Sequence, residues 1–233
     1  MIIVEHNNKK IKLKKIKMNT DAPIEGNENT PIDKYNFSML VCGVPGSGKT
    51  NLIIGQLTNN KGLFYKKFDK VYIFSPSIKT INKEIKLPPE QIIDSFDTEA
   101  LTQIIDDARE SQDNEQTLII FDDMMMDIIK DKSGLFGKLV ANRRHLGISL
   151  IAITQVFNRI PSKYRKMFSD YILFRTNNKK EIGFFGEELT AFNEGEFTKI
   201  FFELLTDPHD FIMIKSNGMM YKNFNRLEFK EED

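Results

Sequence analysis

Apolar residues along the chain follow two different spacings. Short runs of consecutive apolar residues, bounded by polar ones, predict buried strands. Apolar residues three or four positions apart predict helices, as where Leu101, Ile104, Ile105 and Ala108 share one face. The predicted strands cover residues 37–42, 70–77, 116–123, 147–155, 170–176 and 210–216, and the predicted helices cover 51–58, 98–110 and 133–145.

The alternation of strands and helices predicts an α/β fold. Strand, helix and strand in succession form the repeating unit of a parallel sheet that is covered by helices on both faces. The chain has 233 residues, of which 40% are hydrophobic, and this is enough for one sizeable core. We therefore expect a central, mostly parallel β-sheet flanked by helices, without internal repeats.

Composition indicates the cellular compartment and the kinds of partner that suit the protein. The chain has one cysteine, Cys42, which excludes an internal disulfide, suits a reducing compartment and is expected to be buried at a strand end. No apolar run approaches the roughly 20 residues of a membrane span, and the first residues lack the order of a signal peptide. We expect a soluble intracellular protein. The 33 basic and 33 acidic residues balance, so nucleic-acid binding would depend on local clusters.

Residues 1–34 are predicted to form a basic arm and linker ahead of one domain over residues 35–233. Residues 9–17 contain six lysines, and a polar stretch with glycine and proline follows. The alternation of Ile11 and Leu13 fits a short edge strand that the lysines protect from further pairing. A block of like charge also fits an arm that binds DNA or a partner, and the sequence leaves both interpretations open.

Residues 39–57, MLVCGVPGSGKTNLIIGQL, carry the pattern of a phosphate-binding loop between a strand and a helix. The glycines let backbone N–H groups turn inward, and the helix N-terminus adds positive potential where a polyphosphate would lie. We expect Lys49 to contact the β- and γ-phosphates during binding and catalysis, and Thr50 to ligate Mg²⁺. The predicted nucleotide-binding residues are Gly43, Val44, Pro45, Gly46, Ser47, Gly48, Lys49, Thr50 and Asn51.

A second motif, TLIIFDDM, ends an apolar strand in two carboxylates. Downstream of a phosphate loop, this arrangement is typical of the metal-holding segment of P-loop NTPases. We expect Asp122 to hold Mg²⁺ with its water shell and Asp123 to polarise the attacking water. Taken alone, an acidic pair at a strand end also fits a helix cap or a solvated turn.

Other motifs distinguish between classes of P-loop protein. GTPases have a glycine three residues after the metal-binding aspartate, where this chain has Met125, and their base-reading Asn-Lys-x-Asp motif is missing. Nucleotide kinases have an arginine-rich lid, whereas this chain has seven arginines in all. Hydrolytic motors place a polar residue at the tip of a strand inserted between the phosphate-loop strand and the metal-binding strand. Gln155 ends such a predicted strand, although polar residues are common at strand ends.

The order GVPGSGKT, LIIFDD, NRRHLGISLIAITQ and RIPSKYRKMFSDYILFR resembles the DNA-packaging ATPases of poxviruses and other large double-stranded DNA viruses. These enzymes are a branch of the FtsK-HerA superfamily, and the resemblance spans roughly residues 37–224. It implies a P-loop NTPase fold of the RecA-like, additional-strand type and a ring-forming motor that uses ATP to move DNA into a capsid. Many members of the superfamily have Asp-Glu where this chain has Asp122 and Asp123, and this difference bears on the identity of the base.

Ring motors complete their site with an arginine from a neighbouring subunit. Arg143 and Arg144 match the Arg-His element of the family and are the predicted catalytic arginines, with Arg165 and Arg175 as reserves. Cations also favour a helix C-terminus for purely structural reasons, so the alternative is a capping role. Lysines in residues 161–166 and 177–180 are candidates for contact with DNA.

The sequence therefore predicts an ATP- and Mg²⁺-dependent motor that translocates double-stranded DNA during virion assembly. Its expected partners are DNA, further copies of the chain in a pentameric or hexameric ring, and capsid or membrane-associated assembly proteins. Its expected location is the host cytoplasm or viral factory, with association to the virion. Two alternatives stay open: a non-viral helicase or DNA-transfer ATPase of the same superfamily, and a nucleotide kinase or switch.

Overall fold

A mixed sheet runs through the described part of the chain, which comprises residues 31–77, 85–111 and 115–229 of a computed structural model. The strands are β1 (Ser38–Cys42), β2 (Lys70–Phe74), β3 (Ile92–Ile93), β4 (Thr117–Asp122), β5 (Ile148–Thr154), β6 (Asp170–Phe174), β7 (Phe211–Lys215), β8 (Met220–Lys222) and β9 (Asn225–Arg226). Among the described residues they form one nine-stranded sheet in the order β3-β2-β4-β5-β1-β6-β7-β8-β9.

Helices lie in most of the connections between β1 and β7. They are α1 (Lys49–Thr58), α2 (Thr98–Glu110), α3 (Met125–Lys130), α4 (Leu135–Asn142), α5 (Ser162–Arg165), α6 (Lys179–Leu189) and α7 (Glu194–Leu204), with a 3₁₀ turn at Pro89–Gln91. Local sequence explains several of their starts. The Asp97 side chain accepts hydrogen bonds from two amides of the first turn of α2, and Asn193 with Glu196 forms a capping box on α7.

Strand β5 lies between β1 and β4 and is parallel to both, which confirms the predicted additional-strand arrangement. Ala152 of β5 is opposite Leu40 on one side and Phe121 on the other. Since these strands are parallel, their carboxyl ends meet at one side of the sheet, which we call the carboxyl edge. The phosphate loop, Asp123 and Gln155 follow strand ends at this edge, and Asp122 is the last residue of β4.

The last predicted strand exists as β7, but it runs antiparallel to β6, with Phe174 opposite Phe211. Strand and helix in alternation would make it parallel. The difference arises from α6 and α7, which the apolar pattern does not predict. This helix pair returns the chain to the carboxyl edge from which it left, so β7 must run back towards the opposite side, the amino edge. Strands β8 and β9 continue the antiparallel pairing.

The core of the protein lies on both faces of the sheet. Along β5, Leu150 and Ala152 face one apolar cluster together with α2, α4, α6 and α7. Ile151 and Ile153 face a second cluster, to which α1 contributes Ile53. Burial on both faces explains why the strands appear in the sequence as nearly continuous apolar runs.

Residues 31–34 are the described part of the predicted arm and linker. The Ile32 side chain is buried, and Lys215 Nζ of β7 donates to the Pro31 carbonyl at 3.1 Å and to Asp33 Oδ1 at 2.8 Å. The lysine block and the predicted strand at Ile11 and Leu13 lie outside the described residues, so the division at residue 34 stays a prediction. Within the described ranges, no helix has the length and apolar character needed to cross a membrane.

Candidate nucleotide-binding and hydrolysis site

The phosphate loop connects the end of β1 to the start of α1 at the carboxyl edge. Gly46 and Gly48 have left-handed φ angles of 78° and 98°, which favour glycine. At Gly43, an added Cβ would lie 2.6 Å from Phe174 Cβ, so the loop tolerates no side chain there. The loop therefore has the backbone shape that its glycines predict, and it leads into the N-terminus of α1, where unpaired amides attract anions. Val44, Pro45 and Asn51 are exposed around it.

Lys49 is the first residue of α1, and its side chain extends back across the loop. It is 8% exposed, and Nζ donates to the Val44 carbonyl at 3.0 Å. Burial lowers the pKa of Lys49, while the nearby carboxylates of Asp123 and Asp122 act in the opposite direction. The Ser47 hydroxyl is also buried and has no hydrogen-bond partner among the described residues. A buried cation and a buried donor in one glycine loop fit a phosphate ligand, because its oxygens would satisfy both.

Asp122 is held by two hydroxyl groups at the end of β4. Thr50 Oγ1 donates to Oδ1 at 3.1 Å, and Ser75 Oγ donates to Oδ2 at 3.1 Å. Burial raises the pKa of Asp122, and the two hydroxyl hydrogen bonds oppose that rise. Carboxylate and hydroxyl oxygens are ligands that Mg²⁺ prefers, so Thr50 and Asp122 together fit the predicted metal site.

Ser75 is a site residue that sequence analysis did not find. It follows β2, whose residue Phe74 is opposite Phe121 in the parallel pairing with β4, and this register places Ser75 beside Asp122. The only sequence signal is a hydroxyl residue within the last part of the predicted strand 70–77, which in the structure ends at Phe74. The signal becomes specific only when the neighbour of that strand is known.

Asp123 and Gln155 form a pair at the adjacent tips of β4 and β5. Gln155 Nε2 donates to Asp123 Oδ2 at 2.9 Å, and the Asp123 amide donates to the Ile153 carbonyl at 3.0 Å. Asp123 has a left-handed φ of 58°, which is uncommon for a residue with a side chain but is tolerated by aspartate. Its side chain is exposed at the carboxyl edge, which is compatible with the predicted role of polarising water.

Glu181 of α6 contacts two segments next to the site, the end of β1 and the loop that follows β5. It is 4% exposed, its Oε1 accepts the Phe157 amide at 2.8 Å, and the Cys42 thiol lies 3.9 Å away. Burial raises the pKa of Glu181, and the Phe157 amide opposes the rise. Burial also raises the pKa of Cys42, which is a packing residue here. Sequence analysis missed Glu181 because it lies on α6, which the pattern did not predict.

Comparison with known proteins agrees with this geometry. The family model of the poxvirus A32 protein matches residues 28–182, which is more than half of the 233 residues. The chain belongs to the poxvirus A32 protein family. This membership confirms the resemblance to viral DNA-packaging ATPases and favours the viral branch over the non-viral alternative. No curated protein sequence matches the chain.

Solved structures with a similar fold are P-loop NTPases. The genome packaging NTPase B204 from Sulfolobus turreted icosahedral virus 2, in complex with sulfate, has a TM-score of 0.61 at 17% identity, covering 83% of this chain and 98% of that chain. Its complex with ATP-gammaS has a TM-score of 0.58 at 15% identity, covering 80% and 96%. The pCW3 conjugation coupling protein TcpA, in a monomer form with ATPgS, has a TM-score of 0.59 at 15% identity, covering 85% and 62%. These similarities confirm the predicted P-loop fold of this A32-family ATPase.

The two predicted catalytic arginines of the A32-family chain have different surroundings. Arg143 is 6% exposed, and its Nη1 donates to the Val140 carbonyl of α4 at 2.6 Å. Burial lowers its pKa to about 10. Arg144 is exposed. Both precede β5 at the amino edge, and the seven residues of β5 separate them from Gln155 by roughly 20 Å at about 3.3 Å per residue.

The reserve arginines are engaged within the chain. Arg165 forms an ion pair with Glu188, and its guanidinium lies 5.1 Å from the centre of the Phe157 ring. Arg175 donates to the carbonyls of Leu205 and Thr206, both at 2.9 Å. A role in a neighbouring subunit therefore suits Arg144 best and stays a prediction.

The two lysine clusters proposed for DNA lie at opposite edges of the sheet. Lys163 and Lys166 are exposed before β6, at the amino edge. Lys179 and Lys180 are exposed after β6, at the carboxyl edge beside the phosphate loop. The two clusters therefore define two alternative surfaces for DNA, one at each edge of the sheet.

Proposed function

We propose that this chain is the motor that translocates double-stranded DNA into viral capsids, driven by ATP hydrolysis. The observation that carries the proposal is the hydrogen bond between Gln155 and Asp123, beside a complete phosphate loop, in a member of the A32 family. A hydrolytic motor needs a base for water together with a residue that senses the γ-phosphate. A carboxylate and an amide on neighbouring strand tips supply both.

Each site residue has a distinct part in the proposed reaction. The loop amides and Lys49 bind the phosphates and offset the negative charge of the transition state. Asp123 accepts a proton from water as the water oxygen bonds to the γ-phosphorus and the bond from that phosphorus to the β–γ bridging oxygen breaks. Gln155 holds Asp123 Oδ2 in place and contacts the γ-phosphate. When bound at Thr50 and Asp122, Mg²⁺ supplies positive charge to the phosphate oxygens.

Assembly into a ring completes the proposed motor. Arg144, exposed at the amino edge, is the arginine that we expect to reach the site of a neighbouring subunit. The ring would be a pentamer or hexamer around duplex DNA in the host cytoplasm or viral factory, docked on capsid or membrane-associated assembly proteins. B204 is a genome packaging NTPase and TcpA is a conjugation coupling protein, and these two relatives in fold support a DNA-handling role.

The test is ATP hydrolysis by the full chain with and without duplex DNA, measured together with the mass of the oligomer. We expect duplex DNA of any sequence to stimulate hydrolysis by the oligomer, because a packaging motor must accept a whole genome and therefore contacts the phosphate backbone. Asp123→Asn serves as the inactive control. Hydrolysis by a full-length oligomer that is indifferent to duplex DNA would overturn the translocase proposal, and a phosphorylated product would indicate a kinase.

A further inference from the structure

A cavity of about 340 Å³ opens beside the phosphate loop, on the side away from the two aspartates. Its walls are Gly48, Asn51, Leu52, Phe174, His209 and Phe211. In the sheet, β4 and β5 lie on one side of β1, whereas β6 and β7 lie on the other. The hydrolytic residues end β4 and β5, and the cavity is formed at the end of β6 and the start of β7. Its volume is within the usual range for small-molecule sites, about 300 to 1,000 Å³.

The direction of a bound triphosphate follows from this order of strands. If its terminal phosphate lies at Asp123 and Gln155, the rest of the chain of phosphates must cross the loop above β1 and leave on the β6 side. With strands about 4.8 Å apart, the distance from β5 to the space between β6 and β7 is roughly 12 Å, comparable to the length of a triphosphate with its ribose. We propose that this cavity binds the purine base of ATP and that His209 stacks against it. The inference rests on the proposed hydrolysis of ATP at the loop.

His209 is positioned for stacking by two hydrogen bonds. Its Nδ1 lies 3.1 Å from the Ser47 carbonyl oxygen, and because a carbonyl only accepts, Nδ1 carries the proton. Its backbone amide donates to Asp207 Oδ1 at 3.0 Å. A Cβ at Gly48 would lie 3.4 Å from Nδ1, so the ring is directly beside the loop. The imidazole is exposed, and a fixed, exposed ring offers its face to a planar ligand.

The remaining walls suit a base better than a second phosphate. Phe174 and Phe211 are buried, with ring centres 5.5 Å apart, and Leu52 adds aliphatic surface. Asn51 supplies an amide that can donate and accept. An apolar floor with a few polar groups at its rim is the usual construction of a site for a heterocycle. The buried Ser47 hydroxyl, which has no partner among the described residues, belongs to the same lining.

Calorimetric titration of the full chain with Mg²⁺ and two probes tests the proposal. The probes are a non-hydrolysable ATP analogue, which carries the base, and inorganic tripolyphosphate, which does not. We expect His209→Ala to weaken binding of the analogue roughly 5- to 100-fold, the usual range for one lost base-stacking contact, and to leave tripolyphosphate affinity unchanged. His209→Phe keeps a ring and should retain most of the affinity. His145→Ala, an exposed histidine at the amino edge, is the matched control and should behave as wild type.

Each alternative result has a defined meaning. Equal weakening of both probes by His209→Ala would show that His209 only supports the loop, and this would overturn the base site. Unchanged affinity for both probes would overturn it too. Wild-type protein that binds neither probe would instead refute the phosphate site, and the proposed function would fail together with this inference.

Discussion

Gln155 and Asp123 are 32 positions apart in the sequence, yet their side chains share a hydrogen bond of 2.9 Å. The bond keeps one carboxylate oxygen in a fixed direction at an exposed position, while the left-handed backbone of Asp123 turns the chain away from the sheet. Lys49, in contrast, is buried in the loop and faces a carbonyl. Replacing Asp123 and replacing Lys49 should therefore have different effects on ATP binding and hydrolysis.

Asp123→Asn should leave ATP affinity unchanged and lower kcat by on the order of 10²- to 10⁴-fold, the usual loss when a general base is removed. Asparagine also tolerates a left-handed backbone, so the loop should keep its shape. Lys49→Ala should instead abolish tight ATP binding, because the loop loses its mobile cation. Nucleotide titration and steady-state kinetics separate the two effects. Asp127→Asn, an exposed carboxylate on α3, is the control, and wild-type turnover by Asp123→Asn would place the base elsewhere.

Glu181 should act on turnover through the loop that follows Gln155. Glu181→Ala leaves the buried Phe157 amide without its acceptor, which typically costs about 1 to 3 kcal/mol of stability. Glu181→Ala should also lower kcat. Glu181→Gln retains an oxygen acceptor, so its kcat should be close to that of the wild type. Urea unfolding and kinetics measure both effects, with exposed Glu187→Ala as the control. An alanine variant with normal kcat would limit Glu181 to a structural role.

At the level of secondary-structure elements, the turn between α4 and β5 gives two adjacent arginines different surroundings. The helix ends at Asn142, earlier than the apolar pattern predicts, and Arg143 closes it by packing inward against Val140. Arg144 then faces solvent at the amino edge. One arginine therefore stabilises the element, and the next is available to another subunit.

Arg144→Ala should keep normal stability and ATP affinity but hydrolyse ATP poorly, since an arginine supplied by a neighbouring subunit contributes about 10³- to 10⁵-fold in related reactions. Mixing it with Lys49→Ala subunits, which still carry Arg144, should restore activity. Arg143→Ala should mainly lower the unfolding midpoint in urea. If mixed rings, verified by mass, are no more active than their separate parts, Arg144 has no role between subunits.

At the level of the whole molecule, the carboxyl edge carries both the residues proposed for hydrolysis and one of the two lysine clusters. Lys179 and Lys180 open α6, whose next residue, Glu181, holds the Phe157 amide behind Gln155. DNA at this cluster would thus lie at the start of the helix whose Glu181 contacts the loop that follows Gln155. Lys163, at the amino edge, has its ammonium group 4.9 Å from the centre of the Tyr164 ring, so part of its charge is already engaged.

We therefore expect the double variant Lys179→Ala with Lys180→Ala to lose DNA-stimulated hydrolysis. Its slope of log affinity against log salt should fall by roughly 0.9 for each lost phosphate contact. Replacing Lys163 and Lys166 in the same way is the matched control and should change the slope little. Deleting residues 1–17 tests the lysine-rich arm separately. A reduced slope only in the Lys163 and Lys166 variant would place DNA at the amino edge instead.

The sequence by itself determined the parts of the protein whose geometry is local. The glycine pattern specifies the backbone of the phosphate loop, and apolar runs that end in Asp122, Asp123 and Gln155 specify strands and their tips, because strand and turn propensities act over a few neighbouring residues. Only the tertiary structure decided what lies beside these groups. Ser75 reaches Asp122 across 47 positions and His209 reaches Ser47 across 162, and such contacts depend on which strands are neighbours in the sheet. The direction of β7 was likewise set by packing. The same holds for Arg143, which is buried, and Arg144, which is exposed: the two residues are identical in type, so only their surroundings in the fold distinguish them.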